Sequence, residues 1–187
     1  IRDRHYTPNN AVLVIAGAAA PEAVRKLAEK YYGPIPRRPV EARRRPSEGG
    51  PGLPQKVMRA DARVVEPRWS RDFIAPSYRS AESRHAYALT VLSHIFGGSE
   101  TSRLWRAMVV DGKLALSASA GYSATRLGLS AFDISVHPAP QKSIVDMEGA
   151  VVDQMKRLLD HGVTPEEVER TQNQLLAAAI YSQDSLA

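Results

Sequence analysis

The sequence predicts an α/β domain of the α+β kind, a two-layer roll with a mainly antiparallel sheet and helices packed on one face. Three observations predict it. Short apolar runs are bounded by turn residues, as buried strands are. Longer segments repeat their apolar residues at helical spacing between clear start and stop signals. The strand candidates also come in adjacent pairs, a pattern that favours antiparallel pairing over βαβ crossovers.

In order, Ala11–Gly17 (AVLVIAG) is a continuous apolar run ended by glycine, as expected of a strand. Pro21 suits a first helical turn, and Val24, Leu27, Ala28 and Tyr31 then share a helical face until Gly33-Pro34 stops it. Val57–Asp61 and Val64–Ala75 read as two further strands, Pro67 confining its part of the second to an edge or bulge. A helix follows from Ser80 to Phe96, with Ala88, Val91, Leu92, Ile95 and Phe96 on its apolar side. After Gly97-Gly98, Ser99 or Thr101 can cap a short helix through Leu104, Trp105 and Met108 that Gly112 ends. Leu114–Tyr122 and Leu127–His137 form a hairpin across Ser123–Arg126. In its second strand Phe132, Ile134 and Val136 face one way and Asp133, Ser135 and His137 the other. The next helix runs from Gln141 to Asp160, with Ile144, Val151, Val152, Met155, Leu158 and Leu159 facing the core. Thr164-Pro165-Glu166-Glu167 opens the last helix, with Thr as N-cap and Glu three residues on. That helix is still running at Leu186. With no initiator Met at the other end, the sequence reads as an excised piece.

Composition narrows the function. The 187 residues are 43% hydrophobic and 24% charged, ordinary for a globular domain. No apolar stretch reaches the roughly 20 residues of a membrane span. There is no cysteine, hence no disulfide, thiolate nucleophile or cysteine-ligated metal. The net charge of +5 resides in Arg37, Arg38, Arg43, Arg44 and Arg45; without them the formal charge is zero. Those arginines lie in a stretch from Pro34 to Pro54 that holds six of the thirteen prolines. No aromatic residue is interleaved with them, so the stretch reads as a solvated linker rather than a nucleic-acid surface.

No catalytic constellation emerges. His85 and His94 are nine residues apart on one helix, which at about 100° per residue puts them on opposite faces. His161 with Glu166 and Glu167 is explained by helix ends, a histidine at one C-terminus and glutamates in the next first turn. The Gly97–Arg103 stretch could cradle a phosphate, but Glu100 opposes an anion, and a helix-to-helix turn accounts for it.

The order of segments nevertheless resembles a known family. His5-Tyr6-Thr7-Pro8-Asn9-Asn10 before AVLVIAG resembles the segment and first strand that join the halves of pitrilysin/insulinase-family zinc peptidases. PEAVRKLAEKYYGPIPRRP, Ala75-Pro76-Ser77, ALTVLSHIFGGSETSRLWRAM and TPEEVERTQNQLLAAAIY are similar to later family segments, in order over nearly the whole chain. The resemblance implies the C-terminal half, which lacks the zinc site. Residues 1–33 would then be the joining segment, first strand and first helix, 34–54 a linker, and 55–187 the truncated remainder of the same domain. It implies a metallopeptidase whose zinc is held entirely upstream, no metal or catalytic residue in this piece, and a chamber closed around peptide substrates.

Some family members carry an Arg and a Tyr here that hold substrate. Aligned on Ser102-Arg103-Leu104 and Leu114-Ala115, those positions are Val109 and Leu116, neither able to donate a side-chain hydrogen bond. Arg103 and Arg106 fall at other positions. That pattern is similar to the zinc-bearing member of two-chain systems, in which a homologous subunit brings the Arg/Tyr pair. The alternatives are an inactive homologue serving as a structural or partner subunit, similar to core subunits of respiratory complexes, and a binding module recruited through the Arg-rich linker. The sequence selects no compartment; bacterial periplasm and cytoplasm both fit.

Overall fold

A computed structural model describes residues 5–40, 42 and 52–183. They fall into two compact units, one built on residues before position 48 and one on residues 48–183.

In the first unit, a single 3-10 turn, Pro8–Asn10, precedes helix α1, Pro21–Tyr32. The Asn9 side chain makes both backbone-like bonds to one residue: its Nδ2 donates to the Arg38 carbonyl at 3.0 Å, and its Oδ1 accepts from the Arg38 N–H at 3.1 Å. Thr7 is buried and donates to Asn9 Oδ1 at 2.6 Å, so the TPN turn is locked from both sides. The strand expected at Ala11–Gly17 is not formed, and Val12, Leu13, Val14 and Ile15 are exposed. An apolar run specifies a buried strand only where a neighbour completes its backbone ladder; alone, it loses ordering entropy with no paired N–H or C=O in return.

The second unit holds a three-stranded antiparallel sheet, ordered β1-β3-β2, with β1 at Trp69–Ala75, β2 at Ala115–Tyr122 and β3 at Ser130–Pro138. This bears out the α+β class. Two of the expected strand assignments need correction. No strand forms over 57–61, and the strand expected from Val64 begins only at Trp69, just past Pro67, because proline has no N–H for a ladder. β1 is accordingly an edge strand.

Register sorts the side chains. Trp69 opposes Val136, Arg71 opposes Ile134 and Phe73 opposes Phe132, while Ala118 and Ala120 oppose Val136 and Ile134 from the other side. Ile134 and Val136 are almost fully buried. The helices covering them are α2 (Arg84–Gly97), a short α3 (Arg103–Trp105) that widens into a π-helix over Arg106–Asp111, and α4 (Ile144–His161), while α5 (Pro165–Gln183) packs on α2. Phe96, Leu104, Met108, Met147 and Val151 fill the space between helices and sheet.

Within the helices some expected core positions move. Ala86 is buried in α2 whereas Ala88 is exposed. On α4 the stripe runs through Ile144, Met147, Val151, Met155 and Leu158, and Leu159 is 80% exposed. At 100° per residue Leu159 lies about 80° from Val151, off the stripe centre. The short helix is capped at neither Ser99 nor Thr101. Ser102 occupies the cap position, and its hydroxyl donates to the Ser99 carbonyl at 2.6 Å. The capping box at Thr164 is as expected: the Glu167 N–H donates to Thr164 Oγ1 at 3.3 Å and the Thr164 N–H to Glu167 Oε2 at 2.8 Å.

Gly97 fixes how closely α2 approaches the sheet. A Cβ there would stand 2.2 Å from the Ala120 backbone nitrogen, a contact no side-chain movement relieves. Helix propensity alone makes Gly97→Ala favourable by about 1 kcal/mol. The structure predicts the opposite sign, a loss of about 1–3 kcal/mol from overpacking. Urea unfolding checks this; an unchanged or raised midpoint would remove Gly97 from its role as spacer.

Candidate functional site

Val109 lies in the π-helix after α3 and Leu116 at the start of β2, and the backbone between them is irregular. The Gly112 N–H donates back five residues to Ala107 at 3.1 Å, and the Leu114 N–H reaches Met108 at 2.8 Å. Lys113 adopts φ 49°, the left-handed region that costs non-glycine residues energy. The β2–β3 register then shifts between Ala115 and Ser117. Leu104 and Met108, both fully buried, anchor the segment from beneath.

On this frame the two positions differ. Val109 is half-buried and packs against the core cluster, whereas Leu116 is 57% exposed at the start of β2. Neither offers a polar atom beyond its backbone. Arg106 is exposed. Arg103 serves the architecture instead. Its Nε and Nη2 donate to the two Glu167 carboxylate oxygens at 2.7 and 2.5 Å, and its Nη1 to the Gly162 carbonyl at 2.8 Å. The Arg103 guanidinium holds the Glu167 carboxyl below the usual carboxylate range, and Glu167 in turn raises Arg103.

The sheet face away from the helices is largely polar, with Ile74 and its register partner Ala131 as apolar exceptions. By alternation it carries Ser70 and Asp72 of β1, Asp133, Ser135 and His137 of β3, and Ser117, Ser119 and Gly121 of β2. Asp72 and Asp133 are register partners, and Arg68 Nε donates to Ser135 Oγ at 2.8 Å. The alternation of β3 is legible in the sequence. The small residues that β2 brings beside it are not, because they look inert until register aligns them.

The histidines are dispersed. His85 lies beside Glu82 at 3.4 Å, and His94 and His161 each pair Nδ1 with the carbonyl four residues back, at 3.0 Å. Among the described residues no group of three or more His, Asp or Glu could hold a metal ion, so these residues do not fit a zinc site. No helix of the described residues is long and apolar enough to cross a membrane. The Gly97–Arg103 stretch is the turn between α2 and α3. Arg43, Arg44 and Arg45 lie outside the described residues.

Comparison with known proteins supplies the context. The sequence profile of the peptidase M16 inactive domain matches residues 1–175. No curated protein sequence matches the chain. Among solved structures, a protease from Helicobacter pylori superposes with TM-score 0.79 at 20% identity, over 97% of this chain and 43% of that one. A peptidase M16 inactive domain from Pseudomonas fluorescens gives TM-score 0.57 at 15% identity, over 89% of this chain and 40% of the other. The chain thus spans less than half the length of either, and at these identities the likeness is one of fold.

The ion pair generates a pH prediction. Because Glu167 is more acidic folded than unfolded, its pair with Arg103 stabilises fully above the ordinary carboxylate pKa of about 4.3 and is lost as pH falls through the lower folded value. Glu167→Gln should cost about 1–3 kcal/mol at pH 7 and progressively less as the medium is made more acid than that ordinary value. Thermal melts of both proteins across that range check it; a gap that stays constant with pH would refute the assignment.

Proposed function

The chain belongs to the peptidase M16 family as its inactive domain, and we propose that it is the C-terminal, non-zinc half of a metallopeptidase that degrades or processes peptides. In that reading residues 1–33 and 55–187 build one peptidase-like domain interrupted by the 34–54 linker. It closes a substrate chamber opposite a zinc domain carried elsewhere in the longer protein. The polar sheet face, with its serines, glycine and aspartates, is the surface suited to line such a chamber. Small polar side chains leave room for an extended chain and do not reward tight burial of any one residue type.

Val109 and Leu116 carry the finer reading. A substrate carbonyl that develops negative charge needs donors placed where the charge appears, and losing one typically costs about a hundred- to a thousandfold in rate. These two side chains supply none. A homologous subunit presenting Arg and Tyr across the chamber would provide them, making the working enzyme a heterodimer. The same lack of donors favours a second reading, an inactive homologue acting as a structural or partner subunit.

The experiment is turnover of an unstructured peptide by the full-length protein, alone and with its homologous subunit. The proposal expects the pair to exceed the lone chain by about a hundredfold or more. It expects Val109→Arg with Leu116→Tyr to restore part of that rate to the lone chain. Equal turnover with and without the subunit would contradict the heterodimer, and no turnover in either sample would favour the structural subunit.

A further inference from the structure

We propose that α5 is a hinged arm whose closed position, shallowly packed on α2, is fastened by an electrostatic latch formed by Arg103. The joint is the stretch from Gly162 to Thr164, which has no regular structure and begins with Gly162 at φ 66°. Helix ends on both sides of it are complete in themselves. At the end of α4 the Gly162 N–H donates to the Leu158 carbonyl at 2.9 Å. At the start of α5 the reciprocal Thr164–Glu167 cap satisfies that helix locally. Rotation about the joint therefore breaks neither helix, and each can move as a rod.

Apart from the latch, α5 is held chiefly by shallow packing on α2. Of its described residues only Thr171 is buried, whereas α4 buries Met147 and Val151, and α2 buries Ile95 and Phe96. Its distal half exposes Leu176, Ile180 and Tyr181. The Arg103 guanidinium bridges the joint, gripping the Gly162 carbonyl before it and both Glu167 oxygens after it. The Arg103 and Glu167 side chains are partly buried, with exposures of 29% and 16%, so water competes less for their ion pair than for an open one. Glu167 serves both as cap and as catch. Opening the joint releases the catch and the shallow contact of α5 with α2, and breaks neither helix.

Site-resolved amide exchange on the whole chain tests this, using Arg103→Ala, Arg103→Lys and Glu167→Gln. Glu167→Gln keeps an oxygen to accept from the Thr164 N–H and removes the charge that Arg103 grips. Exchange across residues 165–183 is expected to accelerate about tenfold or more in Arg103→Ala, and by less in the other two, because local opening is governed by the contacts it breaks. Amides of β1, β2 and β3 should stay within about twofold of the parent, since opening the joint leaves their ladder intact. Equal acceleration in the sheet would make Arg103 a general stabiliser, and no acceleration in α5 would mean that packing alone holds it; either overturns the latch. If Arg103→Ala does not fold, the other two variants are read by the same criteria.

Discussion

Burial of one face of β3 is the constraint on which the second unit depends. β3 pairs with β1 on one side and β2 on the other, so its backbone is satisfied within the sheet. Ile134 and Val136 then need cover, and each helix supplies it differently. α2 brings Phe96 and closes against β2 through Gly97. The π-widened α3 brings Leu104 and Met108, and α4 brings Met147 and Val151. The other sheet face carries mostly Ser, Asp, Gly and His, residues that water can solvate without a cover. A fold with one covered face and one open face follows from that alternation.

The alternation is written plainly in β3, where Phe132, Ile134 and Val136 interleave with Asp133, Ser135 and His137. The cap at Thr164 is legible for the same reason: its signal is local, two side chains three residues apart serving backbone groups of one turn. The features that escape the sequence depend on distant partners. AVLVIAG has the composition of a strand, but composition does not name the neighbour that completes its ladder. Leu159 continues an apolar run yet falls off the α4 stripe by a fraction of a turn. The Arg103–Glu167 pair joins residues 64 positions apart, a distance over which no periodicity speaks.

Chemistry and architecture part company at the α3–β2 segment. The backbone there is strained, with a π-helix, a left-handed Lys113 and a shifted register, and strain of this kind persists where surrounding packing fixes it. Leu104 and Met108 provide that packing. The two positions the frame carries, Val109 and Leu116, are nonetheless apolar. The nearby Arg103 is engaged by Glu167 and the Gly162 carbonyl. Among the described residues no group of three or more His, Asp or Glu could hold a metal ion, and the sequence matches the peptidase M16 inactive domain.

The most direct test of that account is metal analysis of the purified 187-residue chain after washing with a chelator and re-exposure to zinc. Because His85, His94 and His161 stand apart, each satisfied within its own helix or by a neighbour, the account predicts no stoichiometric zinc. One zinc per chain, lost on replacing any of these three histidines, would contradict it.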